Sequence, residues 1–366
     1  MTLLQPTAFR DLDHRLHQEI LAYSAYAEPT FAEVHIRKKV FRFIDNGVKS
    51  SIPGSRVGIF GSVVTGLTIP VPDLDLAIIT EDMTKTDVKR QLFRLRDRFR
   101  RGRLIDGAEV RFHAKVPIVR FTTRPEYGSM SVDIGVNNTD GMHVAEMIKD
   151  YREKMPELRP LVLVMKGLLA RSGFNDPARG GLGSYPLVCM CISFLQVNPP
   201  LESLGKLLTG MLYYYGVSFP YETSYISVRE GQVLLKSTAT WCETEDKLVV
   251  QCLTNPKSNI ASSVDGTAKL RKIFKEAYVK LSEVTIDDPL VLGTIVGYPQ
   301  RVLDHRAAIK ALVDARPPAI RMPGLHRDSL PRSNGGRTNE SRGSQGRSDS
   351  ASSSGHRRRY TKNVKS

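Results

Sequence analysis

The sequence predicts an α+β protein: a mixed sheet with helices, then a helical module, then a basic tail. Three observations give that class. Five short apolar or alternating runs crowd into positions 57–136. After Gly141 the apolar spacing turns helical. From about Pro317 the composition shifts to Pro, Gly, Ser and Arg. Apolar residues are then too sparse to offset ordering entropy, so 317–366 is expected to be disordered.

Residues 1–50 read as helical, with apolar stripes through Leu16, Ile20, Leu21 and Tyr23, and through Val34, Val40, Phe41, Phe43 and Ile44. These N-terminal helices are expected to pack on the helical module. Pro53-Gly54 makes a turn before the strand Val57-Gly58-Ile59-Phe60. A helix starts at Ser62, a turn holds Pro70 and Pro72, and Leu74 to Ile79 is a strand. Lys85 to Arg101 is a basic helix with Val88, Leu92, Leu95 and Phe99 on one side. Val110–Phe112, Val116–Phe121 and Met130–Val136 complete a sheet of five strands. The helical module follows, with helices near 144–151, 159–171, 184–196, 201–215 and 268–282 and short β-like stretches at 225–228 and 233–235. The expected domains are 1–50, 51–142, 143–316 and the tail, 317–366.

Composition narrows the class. Hydrophobic residues are 41% of the chain, ordinary for a globular protein. Its longest apolar runs, 161–170 and 185–197, are too short to span a bilayer. Residues 1–16 lack the apolar run of a signal peptide, so an intracellular protein without a membrane partner is expected. Cys189, Cys191, Cys242 and Cys252 form no Cys-x-x-Cys pair and read as reduced thiols. Net charge is +15, and the last fifty residues hold 11 Arg plus Lys against 3 acidic residues, about half of that excess. A basic protein with a basic tail favours a polyanionic partner.

The chemistry-bearing residues start at Gly61-Ser62 and Asp73-Leu74-Asp75-Leu76. Side chains alternate along a strand, so Asp73 and Asp75 share a face while Leu74 and Leu76 point to the core. Two such carboxylates repel, and a divalent cation relieves the repulsion; Mg²⁺ favours oxygen ligands together with substrate phosphates. In Ser131-Val132-Asp133-Ile134 the same alternation makes Asp133 the third carboxylate. Gly61 lets the backbone approach a phosphate. Ser62 offers a hydroxyl and an N–H at a helix start, where the dipole favours anions. The set suits a two-metal in-line displacement at a nucleotide α-phosphate. A lone Asp-x-Asp is often just a solvated strand end; the three motifs together outweigh that reading.

At this point the sequence resembles the DNA polymerase β-like nucleotidyltransferases, and more narrowly the TRAMP-type noncanonical poly(A) polymerases, over residues 17–306. The likeness is carried by Ile59-Phe60-Gly61-Ser62, Pro72-Asp73-Leu74-Asp75-Leu76, Ser131-Val132-Asp133-Ile134, Leu161–Lys166, Gly180–Tyr185 and Ser193–Gln196. It implies a polymerase β-like catalytic domain and a helical central domain of poly(A) polymerase type. It implies that Asp73, Asp75 and Asp133 are catalytic and hold Mg²⁺ or Mn²⁺. Lys166 and Ser184 would contact the triphosphate, Tyr185 would stack on the base, and Asn259 belongs to the loop that helps choose it. The chain departs from the family in two places. Relatives often carry Asn-Gly where it has Asp140-Gly141. The late loop usually opens Asp-Pro and ends in Arg; here those positions are Gln251-Cys252 and Ala261, which implies altered base preference.

The expected function is template-independent addition of nucleotides, chiefly from ATP, to RNA 3′ ends, tagging nuclear RNA for exosome decay. A terminal uridylyltransferase is the rival enzyme, and a catalytically silent RNA-binding scaffold the rival of another class. The resemblance implies a zinc-knuckle RNA-binding protein and a helicase as partners and a nuclear location, in nucleoplasm or nucleolus. RNA contacts are expected from Arg357, Arg358 and Arg359; the basic helix from Lys89 to Arg103, with Arg94, Arg96, Arg98, Arg100 and Arg101, could also hold RNA but is equally well a solvated face.

Overall fold

The sheet module is built first along the chain. The structure is a computed structural model describing residues 9–315 except 71–72, 82, 114–115, 199–200, 202, 243–246 and 298. The tail, with Arg357, Arg358 and Arg359, lies outside the described residues. Two N-terminal helices, α1 (Leu12–Tyr26) and α2 (Phe31–Ser51), precede the sheet. α1 is capped by Asp11, whose carboxylate accepts from His14 N. α2 opens on a capping box formed by Thr30 and Glu33. Then come β1 (Arg56–Phe60), α3 (Ser62–Thr65), β2 (Asp73–Ile79), α4 (Lys85–Arg101), β3 (Glu109–Arg111), β4 (Ile118–Thr122) and β5 (Ser131–Val136).

All five expected strands form one mixed sheet in the order β1-β2-β5-β4-β3. β2 and β5 are parallel; the other pairs are antiparallel. One face is buried under α2 and α4 by Leu74, Leu76, Ile78, Val119, Phe121, Val132 and Ile134, which meet Val40, Ile44, Leu92, Leu95 and Phe99. The stripe read from the α4 sequence is therefore the face that packs; Arg94 and Arg100 are exposed, while Arg98 and Arg101 line a crevice against α2.

The helical module follows with α5 (Thr139–Lys154), α6 (Leu158–Arg171), α7 (Ser184–Val197), α8 (Leu204–Tyr213), the hairpin β6 (Ser224–Ser227) and β7 (Gln232–Leu235), α9 (Thr267–Glu283) and α10 (Gln300–Asp314). α6 and α7 are apolar nearly all round and form the centre of a second core. Cys189 and Cys191 sit inside it as free thiols, with burial raising their pKa values. No helix among the described residues is long and apolar enough to cross a membrane.

The N-terminal pair divides between the two cores, which corrects the expectation that both pack on the helical module. α1 joins the helical core through Leu16, Ile20 and Tyr23. Its buried Arg15–Glu19 pair, 3.0 Å apart, ties down the segment before α10: Glu19 accepts from the N–H groups of Val291 and Leu292. α2 instead covers the sheet. The last helix returns to the same side. Ile309 of α10 enters the sheet core, Arg306 bonds Glu33 at 3.1 Å and the carbonyl of Tyr26 at 2.8 Å, and His305 meets Gly128 O at 2.8 Å. A helix that the sequence reading did not anticipate thus clasps the sheet module.

Candidate active site

The solvent-facing side of the sheet carries one charged cross-strand row. Asp75 on β2 lies opposite Asp133 on β5, Asp133 opposite Arg120 on β4, and Arg120 opposite Glu109 on β3. Directly opposed residues share a face and put their side chains in reach of each other. Asp73 stands one step along β2, opposite Ser131. The three carboxylates read from the sequence are therefore brought to one face, as the alternation required.

Their electrostatics are strained. Burial raises the Asp75 carboxyl to about 6, with further upward push from Asp133 and Asp73 and opposition from Lys166 and Arg120. Asp73, which keeps one open edge, is also raised, first by burial and then by Asp133, while Ser131, Lys166 and Arg120 pull it down. Asp133 is held differently. Arg120 grips it with two parallel bonds, Nε to Oδ1 at 2.7 Å and Nη2 to Oδ2 at 2.5 Å.

Gly61 and Ser62 are fixed by this same site. Gly61 has φ 68° and ψ −149°, a region that only glycine occupies readily. A Cβ there would lie 2.2 Å from Asp75 Oδ2. The glycine is the hole into which the Asp75 carboxylate fits. Ser62 then opens the single turn of α3, and three cations of the helical module hold the far end of that turn. Arg152 Nη1 donates to Thr65 O at 2.8 Å, Arg159 Nε to Gly66 O at 3.1 Å and Lys166 Nζ to Leu67 O at 2.7 Å. Residues 152, 159 and 166 are evenly spaced, and they meet three successive carbonyls. Cations at a helix C-terminus are favourable. The clasp fixes α3 against α5 and α6.

Lys166 is buried, and that burial lowers its pKa to about 8 despite the opposing pull of Asp73 and Asp75. It is no snorkelling side chain. Ser62, Asp73, Lys166 and Ser184 line one cavity of about 150 Å³, floored by Leu169, Leu182 and Leu187. Four of the expected site residues thus meet in one place: an acidic edge, a buried ammonium and two hydroxyls. Ser184 begins α7, with Gly183 as its N-cap.

Tyr185 and Asn259 do not line that cavity. The Tyr185 hydroxyl accepts from Leu253 N at 2.9 Å and lies 3.6 Å from Cys252 Sγ. It ties α7 to the late loop. Asn259 serves the loop's own backbone: its Oδ1 accepts from Val250 N and Ala261 N, and its Nδ2 donates to Leu248 O. Gln251 does similar work, accepting from Ser227 Oγ at 2.6 Å and donating to Pro256 O at 2.9 Å. The neutral amide of Gln251 thus braces the loop from within. Ala261 is buried. Asp140 is exposed in the first turn of α5, behind the Asn138 cap.

Two mutually repelling carboxylates beside a third oxygen donor are a donor set suited to a hard divalent cation. Among the described residues, however, no group of three His, Cys, Asp or Glu side chains is closed up enough to hold an ion. Asp133, engaged by Arg120, is the carboxylate that would have to change partners. Sequence reasoning missed Arg120; its signal was an outward-facing Arg between the buried Val119 and Phe121.

This fold and site define a polymerase β-like nucleotidyltransferase. A family model described as "Poly(A) RNA polymerase, mitochondrial-like, central palm domain" matches residues 16–153, and one described as "Cid1 family poly A polymerase" matches 203–258. The polymerase core of TRAMP, an RNA surveillance complex, has a TM-score of 0.72 at 26% identity, over 79% of this chain and 96% of that one. Poly(A) RNA polymerase cid14 of Schizosaccharomyces pombe is 28% identical over 81% of this chain and 47% of its own length. Inactive non-canonical poly(A) RNA polymerase protein Trf4-2 of Drosophila melanogaster is 32% identical over 80% of this chain and 75% of its own. The chain belongs to the noncanonical poly(A) RNA polymerases. It spans about half, or less, of the first curated relatives it matches, such as 37% of the Cryptococcus neoformans CID14.

Proposed function

We propose that the chain is a template-independent RNA 3′-terminal nucleotidyltransferase that transfers AMP from ATP to an RNA 3′-hydroxyl. The observation that carries this is the meeting of Ser62, Asp73, Lys166 and Ser184 around one cavity beside the Asp75–Asp133 row. The catalytic module is 51–142 and the helical module 143–316.

The residues divide the work. Lys166 and the hydroxyls of Ser62 and Ser184 receive the triphosphate; a buried ammonium is a point charge suited to phosphate. Tyr185 offers a ring face to the base, and the loop it is tied to, 251–262, sets which base is accepted. Asp73, Asp75 and Asp133 would hold Mg²⁺ or Mn²⁺, which when bound supplies charge neutralisation at the attacking hydroxyl and the leaving pyrophosphate. The new bond joins the RNA 3′-oxygen to the α-phosphorus as the bond to pyrophosphate breaks, and the hydroxyl proton is lost to water.

The proposal extends to a role in nuclear RNA surveillance, in nucleoplasm or nucleolus. There the chain would act with a zinc-knuckle RNA-binding protein and a helicase ahead of the exosome, with its basic tail, including Arg357 to Arg359, holding RNA without sequence preference. Likeness to the polymerase core of TRAMP supports that setting. Supplied with each NTP, Mg²⁺ or Mn²⁺ and a short RNA, the protein should extend the RNA with ATP, and an Asp73→Ala/Asp75→Ala double variant should not. Extension with UTP instead would favour the uridylyltransferase, for which the Gln251–Ala261 departures speak. No extension, even with the zinc-knuckle partner present, would favour the silent scaffold, as with the relative named inactive.

Tyr185 supplies a finer test. Tyr185→Phe keeps the ring but removes the acceptor for Leu253 N–H, and is expected to cost about 1 kcal/mol of stability with a small rise in KM for ATP. Tyr185→Ala also removes the stacking face, and its KM for ATP should rise ~10-fold or more. Equal KM values for the two variants would remove the stacking role.

A further inference from the structure

Arg120 is the cationic member of the row, and the proposed reaction has not used it. It lies on β4, its side chain solvent-accessible, with both carboxylate oxygens of Asp133 bonded to its guanidinium. On its other side Glu109 stands opposite it, but Glu109 is already held by Arg111 through two bonds of 2.7 and 2.8 Å. The hydrogen bonds of the Arg120 guanidinium thus go to Asp133, the carboxylate a cation would claim, while Glu109 and Asp73 act on it only through their charge. We propose that Arg120 is the anchor for the acceptor RNA: it pairs with Asp133, and a divalent cation claiming that carboxylate would free it to bind the terminal phosphodiester of the RNA 3′ end. This rests on the function proposed above.

Two arguments place that phosphodiester at Arg120. The first is direction. In-line displacement sends the attacking oxygen in from the side opposite the leaving group. The cavity for the leaving pyrophosphate, with Ser62, Lys166 and Ser184, lies at the Asp73 end of the site. Along the sheet the order is β2, β5, β4, so an acceptor arriving from the side away from that cavity would pass Asp133 and meet Arg120. The second is charge. A cation on Asp133 competes with the guanidinium for the same oxygens and repels it. The freed fork matches the two oxygens of a phosphodiester, which it can bind with paired bonds. Cation loading and acceptor binding are thereby coupled: each ligand relieves the side chain that the other needs.

The test reads binding, not turnover. Wild type, Arg120→Gln, Arg120→Lys and Arg111→Gln are titrated with Mn²⁺ by calorimetry, and with a short fluorescein-labelled RNA by anisotropy, in EDTA and in saturating Mn²⁺. Wild type should bind the RNA more tightly in Mn²⁺ than in EDTA. Arg120→Gln should lose ~5- to 10-fold of RNA affinity in Mn²⁺ and little in EDTA, yet bind Mn²⁺ several-fold more tightly than wild type. Arg120→Lys should keep part of the gain on Mn²⁺ addition, since it retains the charge but not the paired bonds, and Arg111→Gln, which frees Glu109 to pair with Arg120, should reduce the gain without tightening Mn²⁺ binding. A residue that merely props the strand would not tighten Mn²⁺ binding when removed. Arg120→Gln indistinguishable from wild type in both arms overturns the anchor. If wild type binds no RNA in either condition, the function reading fails and the anchor fails with it, while tighter Mn²⁺ binding by Arg120→Gln would still support the competition for Asp133.

Discussion

Asp75→Asn is expected to abolish nucleotide incorporation and at the same time to raise the melting temperature of the cation-free protein at neutral pH. The two effects have one cause. The Asp75 carboxyl is raised to about 6 by burial and by its acidic neighbours, whereas in the unfolded chain it titrates near the ordinary aspartate value. The folded state thus favours the protonated form. The stability this brings is fully present below the unfolded value and is lost as pH rises through about 6. At neutral pH the ionised group opposes folding by on the order of 2 kcal/mol, which a neutral amide of the same shape removes. For a unit of this size that is a gain of a few degrees. Incorporation should fall by ~10³-fold or more, because a principal oxygen donor is gone. Adding Mg²⁺ should raise the melting temperature of wild type and leave that of the variant nearly unmoved. Thermal melts from about pH 4 to 8, with and without Mg²⁺, check both. A variant no more stable than wild type at neutral pH would mean that the acidic site is not under strain.

The pH dependence of function follows from the same groups. Cation binding should weaken as pH falls below about 6, where Asp75 takes up a proton. Lys166, lowered to about 8 by burial, is still largely cationic at neutral pH and loses its charge above that value. Incorporation is therefore expected to fall on both sides of neutrality. A rate flat from about pH 5 to 9 would contradict the roles given to both side chains.

What the sequence revealed was whatever has a short period. The five strands were legible because Leu74, Leu76, Val132 and Ile134 alternate with outward-facing polar residues, and the same alternation identified Asp73, Asp75 and Asp133. What stayed hidden depends on register and on long-range packing. That Arg120 faces Asp133 follows only when β4 and β5 are paired antiparallel with Arg120 opposite Asp133, and no local pattern sets that register. The clasp of Arg152, Arg159 and Lys166 on residues 65–67 joins positions about ninety residues apart. α10 buries only Val302 and Ile309, too few to form a stripe, so the helix was not seen and neither was its return to the sheet. Tyr185, Lys166 and Ser184 were found through family resemblance, since an apolar helix start gives no chemical signal alone.

Gly61→Ala is expected to be the most damaging single-methyl change in the catalytic module, and Gly54→Ala measures how much of that damage is backbone strain. Both glycines have positive φ, 68° and 79°, so both substitutions meet the strain of an L residue in that region, about 1 kcal/mol or more. They differ in what the new methyl would touch. At Gly54 there is nothing within 4 Å, whereas at Gly61 the Cβ would sit 2.2 Å from Asp75 Oδ2 and 3.1 Å from its Cγ. The carboxylate must turn away or β1 must shift, and Phe60, next to Gly61, lies opposite Asp75 in the sheet register. Gly61 also has ψ −149°, in the part of the map closed to side chains, which adds a cost of ~1–3 kcal/mol. Gly54→Ala should then lower the melting temperature slightly and leave incorporation near wild type. Gly61→Ala should cost ~2–4 kcal/mol and lose ~10²-fold or more in kcat, since a displacement of about 1 Å at a reacting centre suffices for that. The Gly61 substitution displaces Asp75 and Ser62 together, so cation affinity and ATP affinity should fall in parallel. Loss of stability with unchanged cation affinity would show that Gly61 serves the turn alone and not the carboxylate packed against it.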